Sequence, residues 1–250
     1  MSAHLEWVAL ACFRLWEDGG PVIATDPYTP SSIGLVKEEE AGRRIQADTV
    51  ICSSLTDVAH SYIGLVEGDP TVINALDVAK GTLEAEVNGE PVITVQAAES
   101  PDHPEGPDDN ALYAFKLGGL WFLHMGDVGF GLEPEQIAPF AGRCDVLLAL
   151  TGEKLTLGLD ELDKMIDFLD PTWIVPMHYG LAPVVGTEPN IMTKVDVFLN
   201  RRSRDPVIHA RHHTVEFPMP TPVRGRPTIV VLEPSGYSPT ERVGYQRQGL

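Results

Sequence analysis

Short apolar runs broken by glycine, proline and acidic residues dominate the first half of the chain, a pattern that predicts strands. Residues 5–15 (LEWVALACFRL) read as one long apolar strand, turned at Gly19-Gly20-Pro21 into a second at 22–25 that ends on Asp26-Pro27-Tyr28. Residues 48–53 form a nearly continuous apolar run, as expected of a strand covered on both faces. Residues 71–74 and 91–97 are similar, with Asn88-Gly89 as a hairpin signal before the latter. Residues 110–117 and 120–124 pair across Gly118-Gly119, and 100–109 (SPDHPEGPDD) is the loop before them.

The second half alternates helix and strand. Residues 133–140 begin with acidic and proline residues, as the first turn of a short helix does. Residues 145–150 read as a buried strand. Residues 159–169 place Leu159, Leu162, Met165, Ile166 and Leu169 on one helical stripe. Residues 173–177 predict a strand ending at His178, 193–200 a helix and 228–232 a last strand. No internal repeat or linker divides the chain, so residues 1–234 are expected to form one domain. The polar stretch 235–250 reads as a tail, or as an arm onto a second copy in a homo-oligomer. Strands followed by strand–helix–strand units predict an α/β fold with a two-layer sheet core flanked by helices.

Composition narrows the function classes. Eighteen basic against 36 acidic residues leave a net charge of −18. No basic excess exists to neutralise phosphates, which argues against unassisted binding of nucleic acid or an anionic membrane. No run approaches the roughly 18 apolar residues of a membrane span, and no basic segment leads into an apolar core at the N-terminus. Cys12, Cys52 and Cys144 are odd in number and lack a CxxC spacing, as expected of buried thiols in a reducing, cytoplasmic setting. The partner expected is a small molecule.

Polar residues at the ends of apolar strands are the candidates for chemistry, because a strand end fixes a side chain at the mouth of a core. Asp26, the segment 53–60 (SSLTDVAH), His124 with Asp127 (HMGD) and His178 occupy such ends, and His103 lies in the acidic loop. Histidine nitrogens and carboxylate oxygens from several rigid elements are what a divalent metal requires. His209, His212 and His213 lie among arginines and read as a solvated basic edge.

Taken in order, LEWVALACFRL, VIATDPY, ADTVICSSLTDVAHSY, GLWFLHMGDVGFGLEPEQIAPFAGRCDVLLAL, PTWIVPMHYG and RPTIVVLEP resemble the metallo-β-lactamase fold superfamily. The branch resembled is that of metal-dependent hydrolases including ascorbate-6-phosphate lactonase. The resemblance covers roughly residues 5–233 and implies a four-layer αββα sandwich. It also implies a centre for two divalent metals, zinc or manganese, held by a His-x-His-x-Asp-His motif, a further histidine, a bridging aspartate and a last histidine.

The sequence departs from that motif. Aligned without a gap from Ala47-Asp48, its four positions fall on Ser54, Thr56, Val58 and Ala59. Aligned from His60-Ser61-Tyr62 with one inserted residue, they fall on Leu55, Asp57, Ala59 and His60, the preferred alignment because the following helix start then matches. Ala9-Leu10 also replaces the branch's Gly-His. His103, Asp127 and His178 match the remaining ligand positions. The resemblance therefore implies one divalent ion (Zn or Mn) on His60, Asp127 and His178, and a weaker second site on Asp57 and His103 sharing Asp127. A pocket that binds no metal is the competing expectation. Two functions stay open. One is a hydrolase of an ester, lactone or phosphoester, with Asp127 and His178 at the catalytic centre and His124 orienting the ligands. The other is an inactive relative that binds a small molecule or a protein through the same cleft.

Overall fold

The computed structural model describes residues 2–29, 44–99, 109–180 and 192–235; His103 and the tail expected beyond 235 lie outside them. β1 (Ala3–Ala9), β2 (Cys12–Glu17) and β3 (Ile23–Thr25) pair antiparallel. β4 (Ile45–Gln46) and β6 (Val66–Glu67) form a short parallel ribbon, while β5 (Thr49–Cys52) and β7 (Thr71–Asn74) extend the first sheet parallel to β3. α1 (Ala75–Ala79) and a small hairpin of β8 (Glu86–Val87) and β9 (Glu90–Pro91) lead to the second sheet. There β10 (Ile93–Ala98), β11 (Asp109–Leu117) and β12 (Leu120–His124) are antiparallel. The short α2 (Pro134–Ile137) precedes β13 (Val146–Leu150), and α3 (Leu159–Leu169) precedes β14 (Trp173–Met177). After α4 (Val195–Arg201), β15 (Val207–His209) joins the second sheet, β16 (Thr214–Phe217) returns to pair with β1, and β17 (Thr228–Val231) lies between β14 and β15. The strand orders are β16-β1-β2-β3-β5-β7 and β10-β11-β12-β13-β14-β17-β15.

The sheets share one apolar core, in which Leu5, Phe13, Leu15 and Ile51 of the first meet Tyr113, Phe115, Phe122 and Leu123 of the second. Phe217, on the first sheet, sets its ring edge-on to Phe122 at 5.8 Å and to Trp173 at 5.5 Å, both on the second. All five residues of the predicted α3 stripe are buried in the same core. A second cluster, Val8, Leu10, Cys12, Ala24, Val50 and Cys52 with Ile45, Leu65 and Val66, covers the other face of the first sheet. The three cysteines are buried free thiols, as expected, and burial pushes all three thiols up in pKa.

Two expectations of the sequence reading are corrected. Residues 5–15 are not one strand but the facing halves of the β1–β2 hairpin, turning at Leu10 and Ala11 with Leu10 at φ 53°. The turn carries no glycine or proline because it is buried: Trp7 Nε1 donates to the Leu10 carbonyl at 3.0 Å, and so does the backbone N–H of His178 at 3.3 Å. Residues 207–217, to which the sequence reading gave no strand, contain β15 and β16; His209 at the end of β15 and His212 and His213 before β16 are exposed, as expected.

One polar pair is sealed between the sheets. His124, at the end of β12, donates from Nε2 to the Ala11 carbonyl at 2.8 Å and accepts the Gly126 N–H on Nδ1 at 2.9 Å. Both ring nitrogens are thus committed to a neutral imidazole, and burial lowers its pKa to about 3. Asp26, at the end of β3, accepts the Ser53 N–H on Oδ1 at 2.6 Å and brings Oδ2 to 3.4 Å from His124 Nδ1. Burial outweighs the Ser53 donor and raises Asp26 to about 8, so a neutral carboxylic acid faces a neutral imidazole. The pair ties the ends of β3, β5 and β12 together at one end of the sandwich.

Two expected outcomes follow from this packing. Phe217→Ala removes the ring wedged between the sheets and should cost about 3–5 kcal/mol in urea unfolding; a loss below about 1 kcal/mol would show that the ring does not bridge them. The second concerns Asp26. Its folded pKa of about 8 lies above its ordinary 3.8, so its contribution is fully present below pH 3.8 and is lost as pH rises towards 8. Asn retains the Ser53 acceptor without the ionisation. The stability of Asp26→Asn relative to wild type should therefore climb by about 1 kcal/mol per pH unit between roughly pH 4 and 8, then level off. A pH-independent difference would contradict the buried acid.

Candidate metal centre

The carboxyl ends of β3, β5, β10, β12 and β14 converge at this end, the usual place for ligand contacts in sheets with parallel strands. After β5 the chain spends its polar side chains on itself. Ser54 Oγ accepts the Thr56 N–H at 3.1 Å, and Asp57 Oδ1 accepts the N–H groups of Ala59 at 2.9 Å and His60 at 3.2 Å. The backbone zips this loop to the segment after β3, through Tyr62 N to the Pro27 carbonyl at 2.7 Å and Thr29 N to the Ala59 carbonyl at 3.0 Å. His60 is thereby held with 3% of its surface exposed.

Asp127 reaches the same point from β12 through a turn only glycine can make. Gly126 has φ 62°, and a Cβ there would collide with Asn110 Oδ1, the atom that accepts the Asp127 N–H at 3.3 Å. His178 arrives from β14 with φ 52°, a left-handed conformation that costs a non-glycine residue energy and is held by the surrounding backbone.

The three side chains meet. Asp127 presents Oδ2 to His60 Nε2 at 3.3 Å and Oδ1 to His178 Nε2 at 3.5 Å, and the two Nε2 atoms are 3.3 Å apart. For bonds of about 2.0–2.1 Å, ligand atoms around a tetrahedral ion lie about 3.3–3.4 Å apart, close to the separation of the two nitrogens from each other and of each nitrogen from its own carboxylate oxygen. The facing nitrogens cannot both carry a hydrogen, whereas both can face an ion. Nδ1 of each histidine is buried without a hydrogen-bond partner. The donor set and its spacing fit a divalent metal.

The electrostatics of these residues alone are strongly coupled. Burial would raise Asp127, but His178 and His60 outweigh it and pull the carboxyl to about 2. Burial would lower His60, but Asp127 foremost, then Asp57 and Asp26, raise it to about 10. His178 is kept low by burial and by its neighbour His60, against Asp127. Metal binding must displace the proton that His60 holds so firmly.

The structure brings together His60, Asp127 and His178, as the sequence reading expected, and places Asp57 beside Asp127; His103 lies outside the described residues. His124 lies beneath the cluster and accepts the N–H of Gly126, the residue before Asp127, on Nδ1. One residue was missed. Glu99, just past β10, has a carboxylate oxygen within 4.8 Å of ligand atoms of Asp57 and Asp127. Its backbone is pressed so closely on Gly129 that a Cβ there would strike the Glu99 carbonyl. A polar residue ending the apolar run 91–97 was the same signal that singled out the other four strand ends.

Comparison with known proteins places this architecture. A profile of the β-lactamase superfamily domain matches residues 4–178. A UPF0173 metal-dependent hydrolase of Pyrococcus furiosus is 32% identical over 83 residues, 33% of this chain and 37% of that protein. Another, from Thermococcus onnurineus, is 28% identical over 132 residues, 52% of this chain and 58% of that protein. The matches thus span between about a third and three-fifths of those relatives. A crystal structure from Thermotoga maritima, described as a Zn-dependent hydrolase of the metallo-β-lactamase superfamily, superposes with a TM-score of 0.62 at 26% identity, covering 92% of this chain and 98% of that one. With two facing mixed sheets and its polar centre at their shared end, the chain belongs to the β-lactamase superfamily domain family and carries the metallo-β-lactamase fold.

Proposed function

We propose that this chain is a metal-dependent hydrolase of a small-molecule ester or lactone, with one divalent ion, zinc by its donor set, held by His60, Asp127 and His178. The observation that carries the reading is the buried meeting of two histidine Nε2 atoms, 3.3 Å apart, with the two oxygens of one carboxylate, Oδ2 at 3.3 Å from His60 and Oδ1 at 3.5 Å from His178. A decayed scaffold gains nothing from holding two histidines and a carboxylate together in a strained, buried arrangement.

When bound, the metal supplies Lewis-acid polarisation of the scissile group and lowers the pKa of water. The chain's own residues set the geometry. Asp57 Oδ1 fixes the His60 backbone, Asn110 fixes that of Asp127, and the Leu10 carbonyl fixes that of His178. Leu55, Val58 and Tyr62, all exposed, stand on the loop that carries Asp57 and His60, which favours a substrate with apolar surface. Among the described residues no helix is long and apolar enough to cross a membrane.

Protein purified without chelator should contain one equivalent of divalent metal, and chelator should lower its melting temperature by several degrees. Asp127→Asn should lack the metal, lose at least 100-fold in hydrolysis of a panel of esters and lactones, and not respond to chelator. A metal-free wild type whose melting chelator leaves unchanged would refute the proposal.

A further inference from the structure

The loop between β13 and α3 leaves the second sheet between β12 and β14, the strands that lead to Asp127 and His178. It is pinned on both sides. The Leu157 N–H donates to the Val128 carbonyl at 3.0 Å, and Gly152 packs so closely on His178 that a Cβ there would strike the His178 carbonyl. At its tip Glu153 and Lys154 have φ of 47° and 55°, the only consecutive left-handed pair of non-glycine residues among those described. Glycine adopts such a conformation freely, whereas a glutamate there carries a local penalty. A penalty of this kind points to a task for the side chain.

The Glu153 carboxyl group bridges two elements. Its Oε1 accepts the N–H of Leu159 at 3.3 Å, the first residue of α3, whose preceding Gly158 has no side chain to cap it. Its Oε2 accepts the Thr193 hydroxyl at 3.2 Å. Thr193 is a junction: its N–H donates to the Gly152 carbonyl at 2.6 Å, and its carbonyl accepts the N–H of Gly180, two residues past His178, at 2.8 Å. The His178 N–H itself donates to the Leu10 carbonyl at 3.3 Å. The backbone of His178 is therefore held at its own N–H by the β1–β2 turn and just beyond by Thr193. Glu153 fastens Thr193 to a helix whose apolar stripe is buried in the core.

The geometry points to Glu153 as a positioning residue of the metal centre: through Thr193 it clamps His178 in the left-handed conformation, φ 52°, that brings Nε2 to Asp127 and His60. Glu153 acts through the backbone and is not a ligand. Hydrogen-bonded supports of metal ligands change metal affinity by about 10–100-fold when removed. The inference rests on the hydrolase reading, because what Glu153 holds is a ligand of the proposed ion.

The test measures Zn²⁺ affinity by competition with a chromophoric chelator, and the ligand geometry by the visible absorption of protein saturated with Co²⁺. Glu153→Ala should bind Zn²⁺ at least tenfold more weakly than wild type. Thr193→Val, which removes the hydroxyl and keeps the backbone bonds, should do the same and serves as the second variant if Glu153→Ala folds poorly. The double variant should be little weaker than either single one, since both break one link. Glu153→Gln should stay within about threefold of wild type, because its amide can still accept from Leu159 and donate to Thr193. In Co²⁺ the Ala and Val variants should show a weakened, shifted absorption, whereas a loss of folding stability alone would leave the spectrum of the folded protein unchanged. Wild-type affinity and spectrum in both Glu153→Ala and Thr193→Val would overturn the clamp and leave the metal centre standing. Glu153→Gln as weak as Glu153→Ala would also overturn it, since charge and not the hydrogen bonds would then matter. A wild type that binds neither ion would overturn both readings.

Discussion

The charge of one buried carboxylate, Asp127, governs this end of the molecule. Taken from water, its carboxylate is stable only because two imidazoles meet it, while its backbone N–H is held by the Asn110 side-chain oxygen; none of these partners is its neighbour in sequence. His60 comes from the loop after β5, His178 from β14 and Asn110 from β11. Removing one partner of such a buried pair costs about 3–5 kcal/mol. Both sheets must therefore be in register before the centre exists. This explains the unusual backbone beneath it: the φ of 52° at His178, the glycine at 126 and the buried apolar turn at Leu10. Each is a local cost that the packing of the whole sandwich sustains.

A second histidine–aspartate pair lies below and behaves in the opposite way. His124 and Asp26 are as buried as His60 and Asp127, yet burial drives both towards neutrality. The difference lies in hydrogen bonding. Both His124 nitrogens are committed to backbone groups, so the ring cannot take a proton without breaking one contact. Asp26 is then left with no cation. Neutrality here keeps negative charge away from Asp57 and from the Cys12 and Cys52 thiols, which an ionised Asp26 would push further up. The lower pair acts as a rigid uncharged floor that holds loop ends, while ionised groups are confined to the layer above.

Much of this was legible in the sequence, and the failures have physical causes. The strands at 110–117 and 120–124, the helical stripe of α3 and the β14 strand were plain because alternation, glycine turns and apolar periodicity all agreed there. The β1–β2 turn was hidden because a buried turn uses apolar residues, so no polar break marks it. His60, Asp127 and His178 could be placed at strand ends, but their convergence depends on sheet-to-sheet register, which no local pattern encodes. Glu99 had the same signal as the others and was overlooked because the family pattern expects histidine, not glutamate, in that region.

The loss of histidines from the loop after β5 changes the charge of the centre as well as its donor count. Neutral imidazoles add no charge, so each one replaced by a carboxylate makes the pocket more negative by one. Asp57, Glu99 and Asp127 together bring three negative charges within 4.8 Å, in a chain whose net charge is already −18. A single divalent cation on His60, Asp127 and His178 would offset two of those three charges. On the proposed hydrolase reading, an uncharged ester or lactone would meet less repulsion from the remaining carboxylate charge than a phosphoester would. The exposed Leu55, Val58 and Tyr62 on the ligand loop suit the substrate proposed above, neutral and partly apolar.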